Sequence, residues 1–196
     1  MKSLCGLSLI LLLNYKIEAS EEVKFETNAV NVQVMTLEEK KESWNTVKDT
    51  PDPELKSQKI NLILSIALDP KATVHRQKEM INALEKLDPT RIEEKLKIWI
   101  FISKKKRRNP EHCIWAARMI MVLTGNLTHS PIPTKEVNEA WERVAIHPFT
   151  TLADKIEAGQ RSYTKIPWQA VHDDKDAKEY HKSHALDRIR MMEENK

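Results

Sequence analysis

Apolar residues recur at helical spacing along most of this chain, and proline-containing breaks separate one run from the next. Between Pro53 and Asp69, the residues Leu55, Leu62, Ile63 and Ile66 share one helical face. From Thr73 to Leu87, a second stripe comprises Val74, Met80, Ile81, Leu84 and Leu87. From Pro89 to Ser103, Ile92, Leu96, Trp99 and Ile100 form a third, widened by Ile98, Phe101 and Ile102. The run from Pro110 to Thr124 is apolar on nearly every side except at Arg118, which predicts a helix in the centre of the packing. Val137, Ala140, Trp141, Val144 and Ala145 then match the i, i+3, i+4, i+7, i+8 template at every position.

The breaks have a common chemistry. Asp52-Pro53, Asp69-Pro70, Asp88-Pro89 and Asn109-Pro110 follow one another at intervals of 17, 19 and 21 residues. An Asx side chain at an N-cap accepts an orphan amide, and proline at N1 has a suitable fixed φ and no N–H to waste. Each pair therefore predicts a helix start, and residues 53–124 read as consecutive helices in a stack. Thr36-x-x-Glu39 and Thr151-x-x-Asp154 are capping boxes that open further helices. The first carries Leu37, Trp44 and Val47 and reaches about Lys48; the second is expected to stop at Gly159. Thr134 caps the Val137–Ala145 helix, and Gly125 is placed to end its predecessor as a C′ residue. Residues 160–172, with Pro167 and Trp168, are expected to be irregular, and a charged helix to run from about Asp174 to Glu194. Val30, Val32 and Val34 alternate within residues 20–35, as in a short edge strand or an extended arm.

Three glycines in 196 residues, with 31% charged residues, suit helices and leave no glycine-rich phosphate loop. Neither GxGxxG nor a Walker-type loop is present. Met1-Lys2-Ser3, the apolar stretch Leu4–Leu13 and the small-residue site at Ile17-Glu18-Ala19 have the layout of an export signal. The apolar stretch is too short for a permanent membrane anchor. Cleavage after Ala19 predicts a periplasmic or secreted chain whose formal charge falls from +3 to +2. Cys113 is then its one cysteine, so no internal disulfide forms. A small net charge on a heavily charged surface favours neither a nucleic-acid partner nor a membrane partner.

Asp69-Pro70 followed by Val74, Arg76, Met80, Ala83-Leu84 and Leu87 resembles the second half of a HEAT-like helical repeat. Ala116-Ala117 through Leu123-Thr124-Gly125, followed by Ala140-Trp141, resembles the end of bacterial HEAT-like arrays. The resemblance covers about residues 53–145. It implies an α-solenoid whose helix pairs stack by nearest-neighbour contact and present a binding surface.

Several residue groups suggest chemistry. His181 and His184 lie one turn apart on the last predicted helix, with His172 and Asp173 upstream, a spacing that allows a shared metal. The same histidines, with Ala177, Tyr180 and Ala185, also form the apolar side of that helix, which predicts packing. Lys104–Arg108 is a basic run at a helix C-terminus, where cations favour the dipole, and reads as a solvated loop. Consecutive residues on a helix point about 100° apart, so His112 cannot activate Cys113, which shares a face with Ala116, Ala117 and Ile120. Asn126-Leu127-Thr128 is a glycosylation sequon if the host is eukaryotic. Trp99, Trp115, Trp141 and Trp168 are expected to anchor the core or a groove.

The sequence thus predicts an all-α chain, a short α-solenoid or an irregular bundle of about six to eight helices. Its expected parts are a signal peptide (1–19), an arm and first helix (20–52), a HEAT-like core (53–146) and a C-terminal extension (147–196). Its expected role is that of an exported interaction or scaffold module that binds another protein, without catalysis or cofactor. The alternative is a metal-binding protein or metal-dependent hydrolase using His172, Asp173, His181 and His184.

Overall fold

A computed structural model describes residues 35–105, 109–125 and 133–194. Residues 1–19, where an export signal is expected, the Val30–Val34 alternation, Lys106–Arg108 of the basic run and the Asn126 sequon lie outside the described residues. Among those described, the chain is all-α, with nine α-helices and no strand. They are α1 (Leu37–Val47), α2 (Lys56–Ala67, led in by a 3₁₀ turn at Pro53–Leu55), α3 (Val74–Leu87), α4 (Ile92–Ser103) and α5 (Glu111–Leu123). There follow α6 (Lys135–Ala145), α7 (Leu152–Arg161), α8 (Lys165–His172) and α9 (Glu179–Glu194).

The four Asx-Pro breaks share one hydrogen bond. The side chains of Asp52, Asp69, Asp88 and Asn109 accept from the backbone N–H two residues ahead, on Glu54, Lys71, Thr90 and Glu111, at 2.9, 2.9, 3.2 and 2.9 Å. Only the first and last of these turns lead straight into helix. At Asp69 and Asp88 an Asx turn intervenes, and the helices begin at Val74, capped by the Thr73 hydroxyl, and at Ile92. Both capping boxes form as expected: the Thr36 and Thr151 hydroxyls accept from the N–H groups of Glu39 and Asp154, whose carboxylates accept from the threonine N–H groups in return. Gly125 ends α5 with a φ of 72°, the left-handed conformation that glycine adopts at a C′ position.

Two expectations change around α7 and α8. Gly159 does not stop α7, which runs to Arg161; it is where the Trp168 indole lies against the helix backbone. Residues 165–172 are helical, because Pro167 falls in the first turn, where its missing N–H removes no intrahelical bond. This is the helix that takes the number from eight to nine. The last helix also begins later than Asp174. The Asp174 carboxylate instead accepts from the Asp176 N–H at 2.8 Å and pairs with Lys155 at 2.5 Å, holding the α8–α9 turn.

Each helix packs on the next in sequence, and α2 on α4, α4 on α6 and α6 on α8 add contacts two helices away. Side-chain bonds link the turns and helix ends in two separate rows. Lys40–Asp69, Lys105 Nζ–Ala72 O and Lys155–Asp174 tie elements along one row. Lys56–Asp88, Lys59 Nζ–Thr50 O and Lys165–Glu193 do so along the other. The core between the rows runs continuously from Ile60 and Ile63 in α2, through Leu84, Ile98 and Ile120, to Trp141 and Val144 in α6 and Ala158 in α7. A second cluster joins Trp168 and Val171 of α8 to Ala185 of α9. The result is a bundle with solenoid-like, neighbour-to-neighbour packing.

The fourth residue of six helices is a polar side chain that secures a turn. Lys59 of α2 reaches the carbonyls of Lys48 and Thr50, Gln77 of α3 that of Ala67, Lys95 of α4 that of Pro89, and Asn138 of α6 that of Pro133. Lys40 of α1 and Lys155 of α7 reach the carboxylates of Asp69 and Asp174. Side chains on a helix lean back toward its N-terminus. A long one placed a turn inside therefore returns to the preceding loop, where the last carbonyls of the previous helix need donors. Lys59, Gln77 and Lys95 are buried as a consequence, while Lys40 is buried on Asp69 of the α2–α3 turn.

Candidate functional site

The candidate metal ligands share one end of the α8–α9 hairpin, where His172 meets Asp173 and the two α9 histidines make separate contacts. His172 Nδ1 lies 2.9 Å from Asp173 Oδ1, and hydrogen bonds from His172 and Gln169 hold the Asp173 carboxyl below its usual value. His181 Nδ1 accepts from the Lys178 N–H at 3.2 Å, and its ring lies 3.8 Å from that of Tyr180. His184 packs edge-on against Trp168, with centroids 5.3 Å apart. Among the described residues, no three His, Cys, Asp or Glu side chains gather as a metal site. The i, i+3 histidine pair serves the hairpin: one histidine accepts at the helix start and the other covers the tryptophan.

Cys113 is buried. Its thiol faces the carbonyls of Ser103 and Lys105, and burial pushes its pKa up, with the Arg143 charge opposing. A thiol held neutral in this way is a poor nucleophile. Trp141 and Trp168 are fully buried and Trp99 nearly so, whereas Trp115 is half-buried. Trp115 and Trp99 meet edge to face with ring centroids 4.6 Å apart, and the Lys78 ammonium sits 3.2 Å from the Trp115 ring centroid. Burial lowers the Lys78 pKa, and the Glu111 carboxylate opposes that shift. Sequence spacing had grouped these tryptophans but not Lys78, whose ring contact joins α3 to α5.

A shallow cavity of about 250 Å3 opens between α1 and the start of α3, lined by Leu37, Lys41, Lys71, Thr73, Arg76 and Glu79 among others. Two of its cations are already paired, Lys41 with Glu38 at 2.6 Å and Arg76 with Glu79 at 2.9 Å.

The more distinctive surface is the row of turns whose described residues are 68–73, 104–105 with 109–110, and 146–151. Lys105 Nζ donates to Ala72 O at 2.7 Å, joining the first turn to the second. Arg143, on the last turn of α6, donates to Ser103 Oγ at 3.1 Å and brings the third turn beside the second. That third turn is built on His147: its carbonyl accepts from the Thr150 N–H and hydroxyl, and its Nδ1 accepts from the Phe149 N–H at 3.3 Å. These bonds hold the imidazole inside and leave Ile146 and Phe149 outside, 65% and 58% exposed. Lys71 and Lys104, on the neighbouring turns, are also exposed. Sequence reading located the basic run but not this apolar corner, because Ile146-His147-Pro148-Phe149 has no helical period to assign its faces.

The fold and this surface define a helical-bundle protein with solenoid-like stacking and a basic-apolar row of turns. No known protein family, curated protein or solved structure matches the chain. Among the described residues, no helix is long and apolar enough to cross a membrane.

Proposed function

We propose that this chain is an exported helical interaction module, with HEAT-like ancestry over residues 53–145, that binds another protein without catalysis. The observation that carries the reading is the exposure of both Ile146 and Phe149 on one short turn whose shape is fixed by hydrogen bonds to His147. Large apolar side chains fixed in solvent suit a protein contact better than a small-molecule pocket. The cavity between α1 and α3 is shallow and its cations largely paired, so it offers less.

Site-specific photo-crosslinking tests this. The full chain, expressed with its own leader, carries a photoreactive residue at position 149 or, for comparison, at position 161 on the opposite row. The expected result is a discrete protein adduct from position 149 that is absent from position 161 and insensitive to chelators. No adduct, or equal adducts from both positions, would refute the reading. So would near-stoichiometric zinc in the purified protein that disappears in the His181→Ala/His184→Ala variant.

A further inference from the structure

The charge and shape of the exposed row specify the partner more closely, an inference that rests on the interaction-module reading above. Lys71 and Lys104 are exposed and form no ion pair among the described residues. Lys105, next to Lys104 in the chain, has its ammonium on the carbonyl of Ala72, the residue after Lys71. Asp69, two residues before Lys71, is held by Lys40 at 3.0 Å and by the Lys71 N–H, so its charge is shared between Lys40 and Lys71. Beyond the lysines, Arg143 connects to the turn that carries Ile146 and Phe149. The row therefore presents positive charge at one end and apolar surface at the other.

We propose that this row receives an acidic peptide segment bearing a large apolar side chain, with its carboxylates toward Lys71, Lys104 and Lys105 and its apolar group against Ile146 and Phe149. Packed helix axes lie about 8–10 Å apart, so a strip crossing these turns spans on the order of 20–25 Å, or about six to eight extended residues. Nucleic acid fits less well, since the described row has no pair of aromatic faces for base stacking. A bilayer fits less well too, because two apolar side chains fall short of the amphipathic face that interfacial binding uses.

The test selects random displayed peptides of about twelve residues, longer than the strip requires, on the full-length protein. Enriched peptides should be acidic and contain Phe, Leu, Ile or Trp. Their affinity should fall about tenfold or more in Lys71→Glu/Lys104→Glu and in Ile146→Ser/Phe149→Ser, and should weaken with added salt. Lys135→Glu, on the opposite row and 83% exposed, should bind as the parent does. All four substituted positions are at the surface, and unchanged circular dichroism and melting temperature confirm that the variants fold. Enriched peptides unaffected by either double variant would overturn this assignment and leave the module reading standing. No enrichment at all would overturn both. Tighter binding of single-stranded DNA or phosphatidylserine-containing vesicles, lost in the same variants, would overturn the peptide assignment in favour of that ligand.

Discussion

Replacing Gly159 with alanine tests the α7–α8 contact, because two effects of opposite sign compete there. Gly159 lies within α7, where alanine is normally favoured by about 1 kcal/mol. A Cβ on Gly159, however, would stand 2.7, 2.8 and 3.0 Å from three atoms of the Trp168 indole. Ordinary carbon contacts are about 3.5–4.0 Å, so the overlap approaches an ångström. The indole has little room to retreat: it is 1% exposed, His184 packs against it in a T-shaped contact with centroids 5.3 Å apart, and Arg188 lies 5.8 Å away over the ring. Overpacking of this kind costs about 1–3 kcal/mol, and a rigid ring puts this site near the upper end. After the helix-propensity gain, Gly159→Ala should destabilise the fold by about 2 kcal/mol. For a chain of this size that corresponds to a loss of roughly 4–8 °C in melting temperature, read by circular dichroism at 222 nm. In a Trp168→Leu background, the same substitution should cost nothing or stabilise slightly, giving a coupling energy of the opposite sign. An unchanged or higher melting temperature for the single variant would refute the close-approach account.

Two further outcomes follow from the buried polar contacts. Lys40→Met should destabilise by about 3 kcal/mol in urea unfolding, since it leaves the Asp69 carboxylate, 12% exposed, without its cation; a loss below about 0.5 kcal/mol would place this pair with weak surface salt bridges. Stability should also fall on acidification. Burial raises the Asp69 and Asp174 pKa values, but bonds to Lys71 N–H and Lys40, and to Lys155 and Asp176 N–H, outweigh it, while bonds from Thr90 and Lys56 lower that of Asp88. Groups with depressed folded values contribute stability above the ordinary carboxylate range, about pH 4, and lose it as pH falls through those values; a urea midpoint that stays flat from pH 6 to pH 2 would contradict the contacts.

What the sequence made legible was local. The Thr36–Glu39 and Thr151–Asp154 boxes close between residues three apart, so their residue types alone specify the bonds. The α6 stripe was equally clear, because Val137, Ala140, Trp141, Val144 and Ala145 all face one core and are all buried. Misreadings arose where a residue type has a common local meaning but serves a distant contact. Gly159 has the appearance of a helix stop, yet its reason is Trp168, nine positions ahead on another helix. Pro167 has the appearance of a break, yet it occupies the first turn of α8. The packing expected of His181 and His184 is made with Tyr180, the Lys178 N–H and Trp168, partners that the i, i+3 spacing does not specify.

The lysines show why the candidate surface in particular was hard to see. A charged residue suggests solvent, yet Lys59 and Lys95 are buried, because a side chain one turn inside a helix leans back onto the preceding turn, and Lys40 is buried on Asp69 of the α2–α3 turn. The basic run combines both kinds of lysine in adjacent positions. Lys105 binds Ala72 O and holds two turns together, whereas Lys104 is exposed. Neutralising the run as a block would therefore alter the positions of the turns along with their charge, and any loss of binding would have two causes. Substituting Lys104 and Lys71 while keeping Lys105 changes the field of the row and leaves its hydrogen-bonded frame intact. Only that comparison separates recognition from folding on this surface.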